Sequence, residues 1–126
     1  MKVLSIVESA YRATLEEQDD TILWLSHALK GAGADLSVLL RGNAVAYATR
    51  GQDAGGLAFG AYRQTEPPRL ERDLAGLVAK GVPVYALAED LERRGLREAA
   101  RVEGVQAIEL QAVPALVAAH DGVWHW

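Results

Sequence analysis

The feature that most constrains this fold is a strand-like apolar run followed by a helix-like apolar stripe, a unit that recurs along the chain. Residues 2–8 (KVLSIVE) form an apolar run rich in Val, Leu and Ile, which is typical of a strand buried on both faces of a parallel sheet. Downstream, Ile22, Leu25, Leu29 and Ala32 recur at spacings of three and four. This spacing predicts a helix with one apolar face.

The remaining segments follow the same alternation. Thr14-Leu15-Glu16-Glu17 has the form of a capping box and predicts where the first helix begins, with Gly31 and Gly33 at its end. Further strands are predicted at 36–40, 82–87, 105–110 and 123–126, and helices at 44–48, 69–80, 89–94 and 114–120. Residues 50–68 are Gly-rich and without periodicity, so we expect an irregular loop there.

Strands that alternate with helices require crossover connections, which give a parallel sheet with helices on both faces. The fold class is therefore α/β: a three-layer domain with about five mostly parallel strands, of flavodoxin-like or Rossmann-like topology. A chain of 126 residues fits one domain, residues 1–126, with a core of its own.

Composition excludes several functions. The formal charge is −4, with 13 basic and 17 acidic residues, so no dense basic row is available for nucleic acid. There is no cysteine and there are three histidines without a zinc-ligand spacing, so no metal site is expected. Neither GxxxxGK[ST] nor GxGxxG occurs, and we expect no cofactor. No apolar run approaches about 18 residues, so a cytoplasmic protein without membrane contact is expected.

Ligands of such folds bind at the carboxyl ends of the strands. The residues expected there, and hence the candidate ligand pocket, are Glu8, Ser9, Tyr11, Asn43 and Glu89. Two interpretations of Glu89 and Asp90 remain open. Paired carboxylates can do acid–base chemistry, and acids at the start of a helix can equally serve as caps.

Aromatic side chains mark candidate interfaces. Phe59 and Tyr62 lie in the 50–68 loop and, if exposed, would anchor another chain. Trp124 and Trp126 alternate on the predicted terminal strand, so both face one side of a sheet edge. The alternative for the first pair is a loop that folds back onto the chain's own core, and the alternative for the second pair is burial under a neighbouring helix.

Two stretches resemble a known family. Residues 84–96 (VYALAEDLERRGL) and 118–126 (AAHDGVWHW) resemble the DsrH/TusB branch of the DsrE/DsrF/DsrH sulfur-relay superfamily. Ser9-Ala-Tyr11 and residues 42–45 (GNAV) are similar to DsrE and TusD chains as much as to TusB. The resemblance spans most of the chain except residues 50–68.

The resemblance implies a DsrE-like α/β fold and assembly into trimers or hexamers with copies of itself or with paralogous DsrE-like subunits. In that family, subunits pass persulfide sulfur between cysteines for tRNA thiolation or sulfur oxidation. Here Leu87 occupies the position of the sulfur-accepting cysteine, and the chain has no cysteine anywhere. Covalent sulfur carriage by this subunit is therefore excluded.

Three functional hypotheses follow. The first is a non-catalytic, cysteine-less subunit of a DsrE/TusBCD-like sulfur-relay assembly that acts through oligomerisation. The second is a stand-alone homo-oligomer that binds a small ligand at the strand ends. The third is an enzyme that uses Glu89 and Asp90 without thiols.

Overall fold

Seven strands and four helices are found in residues 1–10, 20–53 and 55–126, which the computed structural model describes. In chain order they are β1 (Lys2–Val7), α1 (Thr21–Gly31), β2 (Asp35–Leu40), β3 (Ala58–Phe59), β4 (Tyr62–Arg63), α2 (Leu70–Ala79), β5 (Val84–Leu87), α3 (Ala88–Arg93), β6 (Val105–Ile108), α4 (Val113–Ala118) and β7 (Gly122–His125). Two 3-10 helices cover Gly42–Ala48 and Leu110–Ala112.

Five of the strands form one parallel sheet in the order β6-β5-β2-β1-β7. β1 pairs in parallel with β2 on one side, where Val3 lies opposite Leu36, and with β7 on the other, where Val3 lies opposite Gly122. The α/β fold class with a parallel sheet is therefore confirmed. Its two edge strands are β6 and β7.

The larger core lies between one face of the sheet and the helices that follow β1 and β2. Leu23 of α1 and Leu74 and Leu77 of α2 are completely buried against Val38 and Leu40 of β2. The 3-10 helix Gly42–Ala48 and α3 contribute to the same cluster. This layer closes one face of the sheet.

The opposite face has a much thinner cover. Its buried cluster consists of Leu4, Ile6 and Leu39, and Val113 and Leu116 of α4 pack against it. α4 has only six residues, so the three layers expected from the sequence are present but unequal.

Helix α1 is capped at its N-terminus by Asp20. The expected capping box at 14–17 lies outside the described residues, and the helix that carries the apolar stripe begins at Thr21 with Asp20 as its N-cap. Asp20 Oδ1 accepts from Ile22 N at 2.9 Å and from Leu23 N at 3.0 Å, while Oδ2 accepts from the Tyr47 hydroxyl at 2.7 Å. Leu23 is the most deeply buried position of this helix, whereas Ala32 of the predicted stripe is exposed.

The 50–68 segment is not wholly irregular. β3 and β4 pair as a short antiparallel hairpin in which Phe59 lies opposite Tyr62. At the start of the segment, Glu71 of α2 accepts from Gly51 N at 2.8 Å and pairs with Arg50 Nε at 3.3 Å. These contacts fix one end of the segment to the domain.

Candidate functional site at the carboxyl edge of the sheet

Glu8 follows β1 and binds groups from both neighbouring strands. Its Oε2 is 2.5 Å from Nε2 of His125 on β7, and its Oε1 lies 4.0 Å from Nε of Arg41, which follows β2. The Arg41 Nε atom is buried and has no hydrogen-bond partner among the described residues. The sheet order thus gathers a carboxylate, an imidazole and a guanidinium at one place.

This approach of β1 to the end of β2 depends on Gly42. Its φ is +56°, and a Cβ atom there would lie 2.8 Å from Cγ of Glu8 and 3.3 Å from the Glu8 carbonyl oxygen. Glycine avoids both the strain of a positive φ and the clash of a Cβ atom with Glu8, because it tolerates positive φ and has no side chain. Gly42 therefore allows Glu8 to sit against the turn that carries Arg41.

A second polar cluster surrounds Asp90 of α3. Its carboxylate is buried; Oδ2 accepts from Gly42 N at 2.7 Å and Oδ1 lies 3.3 Å from Nη1 of Arg93. Arg94 lies 3.9 Å from the same carboxylate and donates from Nη2 to Asn43 Oδ1 at 2.8 Å. Asp90 thus joins α3 to the turn after β2, a role that no residue spacing in the sequence indicates.

Glu89 has a structural partner. Both of its carboxylate oxygens lie 2.9 Å from Leu110 N, at the start of the second 3-10 helix. That hydrogen bond is the main reason why the pKa of Glu89 lies below its ordinary value, with smaller contributions from its own backbone N–H, the Glu109 side chain and Arg93, and with desolvation acting in the opposite sense. The Glu89 carboxylate therefore stabilises the connection between β6 and α4.

The structure brings the predicted pocket residues together only in part. Glu8 lies with His125 and Arg41 at the edge, and Ser9 next to it donates its backbone N–H to the Trp126 carbonyl at 3.3 Å. Tyr11 lies outside the described residues. Asn43 binds Arg94, and Glu89 binds Leu110. His125 and Arg41 also belong to this site. They were not among the predicted pocket residues, because only the sheet order places them beside Glu8.

Chemically, this edge offers carboxylate, imidazole and guanidinium groups. Leu87, at the position expected for a sulfur-accepting cysteine, is 2% exposed and belongs to the main core. Among the described residues, no group of three or more His, Asp or Glu side chains is arranged to hold a metal ion. No helix in the described ranges has the length and apolar character needed to cross a membrane.

The predicted interface aromatics are all exposed. Phe59 and Tyr62 stand on the hairpin, and Trp124 and Trp126 stand on β7 and its extension. Trp24 of α1 is also exposed, at 63%, and the sequence analysis did not single it out. Phe59 and Tyr62 are therefore not folded back onto the core. Trp124 and Trp126 are covered in part, and Trp126 donates from Nε1 to Ser5 Oγ at 3.1 Å.

Beside β7 lies an open groove of about 460 Å³. Its lining is mainly apolar: Leu25 and Leu29 from α1 face Val123, Trp124 and the following residues of β7. On the other side of the sheet, α4 consists entirely of apolar residues (VPALVA), and Val117 is exposed.

Comparisons with known proteins bear on the fold. No family model matches the chain, and no curated protein matches its sequence. Among solved structures, the crystal structure of the YchN protein from E. coli matches with a TM-score of 0.76 and 22% identity, over 99% of this chain and 98% of that chain. This similarity confirms that the chain has a DsrE-like α/β fold.

Proposed function

We propose that this chain is a non-catalytic subunit of a DsrE-like sulfur-relay assembly, of the DsrH/TusB kind, in the cytoplasm. Its contribution is contact with other DsrE-like subunits, either copies of itself or paralogous chains. The assembly serves tRNA thiolation or sulfur oxidation, as the resemblance of residues 84–96 and 118–126 implies.

The observation that carries this proposal is the composition of α4. Surface helices of soluble proteins normally pair an apolar inner face with a polar outer face. In α4, Val113 and Leu116 pack on the sheet, yet Pro114, Ala115 and Val117 face outward and are exposed. An apolar outer face on a short helix is what a subunit interface requires.

The absence of cysteine assigns the sulfur chemistry to another subunit. Persulfide transfer needs a thiolate, and this chain has none. At the position of the family's cysteine stands Leu87, whose side chain is buried in the main core. The thiol that carries sulfur must therefore come from a cysteine-bearing partner, while this chain completes the assembly around it.

The experiment is native mass spectrometry of the protein enriched from its own source, with identification of the chains that co-purify. We expect a mixed oligomer that contains cysteine-bearing DsrE-like subunits. In the same experiment Val117→Asp should remove the cysteine-bearing subunits from the assembly, because it places a charge in the apolar contact of α4.

Ala75→Asp is the matched control, since Ala75 is an exposed position on α2 in the other layer. It should leave assembly unchanged. A chain that never co-purifies with a DsrE-like partner, or a Val117→Asp variant that assembles as well as the parent while circular dichroism shows both folded, would contradict the proposal.

A second candidate function is small-ligand binding by a stand-alone homo-oligomer at the carboxyl edge. Arg41 favours it, because its Nε is buried without a hydrogen-bond partner among the described residues and such a donor can be satisfied by an acceptor on a ligand. Thermal-shift titration with acetate and citrate should then stabilise the parent protein. The variant Arg41→Gln should show no such shift.

A further inference from the structure

The backbone of β7 presents an unused hydrogen-bonding edge. Trp126, in continuation of the strand, donates its N–H to the Ile6 carbonyl at 3.0 Å, and its own carbonyl accepts from Glu8 N at 3.0 Å. Backbone groups in an extended strand alternate in direction from one residue to the next. Trp124 therefore also faces β1, whereas Val123 and His125 direct their N–H and C=O groups away from the sheet.

No strand covers that side within the described residues, because β7 is the last strand in the sheet order. Open edges are pairing sites unless charge, proline or a bulge blocks them. The opposite edge strand, β6, is flanked by Glu103 and Glu109. Residues 122–126 contain no Asp, Glu, Lys, Arg or Pro, so nothing in β7 itself opposes the approach of another strand.

We propose that the occupant of this edge is β7 of a second copy of the chain, paired antiparallel about a two-fold axis at Trp124. This inference rests on the proposed oligomeric function and names its partner and contact. In this register Val123 of each copy lies opposite His125 of the other. Both outward-facing residues of the strand then exchange backbone hydrogen bonds with their counterparts.

Self-pairing is favoured because the surface complements itself. A two-fold contact places identical groups together, and a strand without Asp, Glu, Lys or Arg brings no two such charges of like sign together there. The Trp124 side chains of the two copies become a cross-strand aromatic pair, with Cα atoms about 4.5 Å apart. The mainly apolar groove of about 460 Å³ between α1 and β7 lies beside this contact, and Trp124 and Trp126 form part of its lining.

Proline substitution tests the backbone contact directly. Val123→Pro removes an N–H that β1 does not use, and proline is tolerated on an edge strand when its N–H would face outward. We expect the dimer dissociation constant to rise roughly 30-fold, because two symmetry-related hydrogen bonds are lost and each is worth about fivefold. Analytical ultracentrifugation of the full chain measures it.

Two controls accompany this variant. Val123→Thr keeps the N–H and the β-branched shape and should leave the dissociation constant within about twofold of the parent value. Trp124→Lys sets like charges directly opposite each other and should prevent the dimer even if Val123→Pro folds poorly.

Amide hydrogen exchange supplies a readout that needs no variant. The Val123 and His125 amides should exchange slowly at protein concentrations where the dimer is populated and quickly at concentrations where it is not. Fast exchange of both amides in a populated dimer would overturn the β7 contact and leave the proposed function standing. A chain that is monomeric alone and pairs through β7 only with a different protein would also overturn it.

Discussion

Asp20, Glu89 and Asp90 share one structural device: each carboxylate accepts a hydrogen bond from a backbone N–H. Asp20 caps its own helix, Glu89 holds Leu110 and Asp90 holds Gly42. The sequence predicts acids at helix starts as caps. It does not identify Leu110 or Gly42 as partners, because these lie 21 and 48 residues away along the chain and are brought close only by the fold.

The Glu89 contact should depend on pH. Because the folded-state pKa lies below the ordinary value of 4.5, the contact contributes stability above pH 4.5. That contribution is lost as pH falls through the lower, folded-state pKa. We expect the exchange protection of the Leu110 amide to fall over this window, measured by NMR, and to be insensitive to pH there in Glu89→Gln.

Glu92→Gln is the control for that measurement. Glu92 pairs with Arg97 at 2.9 Å and does not contact Leu110, so its loss should leave the pH dependence of the Leu110 amide intact. The same pH dependence in Glu89→Gln would show that another group is responsible.

At the scale of elements, prediction succeeds where the apolar pattern is long and unambiguous. The run 2–8 becomes β1, and the pattern of 69–80 becomes α2 with Leu74 and Leu77 inward, as expected. The hairpin at Phe59 and Tyr62 could not be predicted, since two-residue strands are too short to show alternation. At helix α1 the cap on the described residues is Asp20, whose second carboxylate oxygen accepts from the distant Tyr47 hydroxyl, a contact that local sequence cannot reveal.

Packing between β6 and α2 gives a prediction at this scale. Gly104, just before β6, has φ +88°, and a Cβ atom there would lie 2.4 Å from Cγ1 of Val78. Gly104→Ala should therefore lower the free energy of unfolding by about 1–3 kcal/mol in urea titration. Adding Val78→Ala should restore part of the loss by removing the clash, but not the cost of the positive φ.

Gly31→Ala is the matched control. Gly31 ends α1, and a Cβ atom there meets nothing within 4 Å. Alanine should be neutral or slightly stabilising at this position. Equal destabilisation by Gly104→Ala and Gly31→Ala would contradict the packing explanation.

At the scale of the whole molecule, the tryptophans report on assembly. All three are well exposed in the isolated chain: Trp24 at 63%, Trp124 at 37% and Trp126 at 40%. Acrylamide should therefore quench their emission efficiently in dilute solution. We expect the quenching constant to fall as the concentration rises through the association range, most clearly in Trp24→Phe, which leaves only Trp124 and Trp126. Unchanged quenching in a proven oligomer would place the interface elsewhere.

The position of β1 between β2 and β7 also determines the order in which the sheet can be built. Val3 pairs with Leu36, which lies 33 residues further along the chain, whereas its partner on the other side, Gly122, lies 119 residues away, and closing the longer loop is slower. β7 is therefore the last strand to join, and until it does β1 is itself the open edge. During synthesis on the ribosome, all residues up to His125 must emerge before that edge is covered, and in this interval the open edge exposes the nascent protein to aggregation.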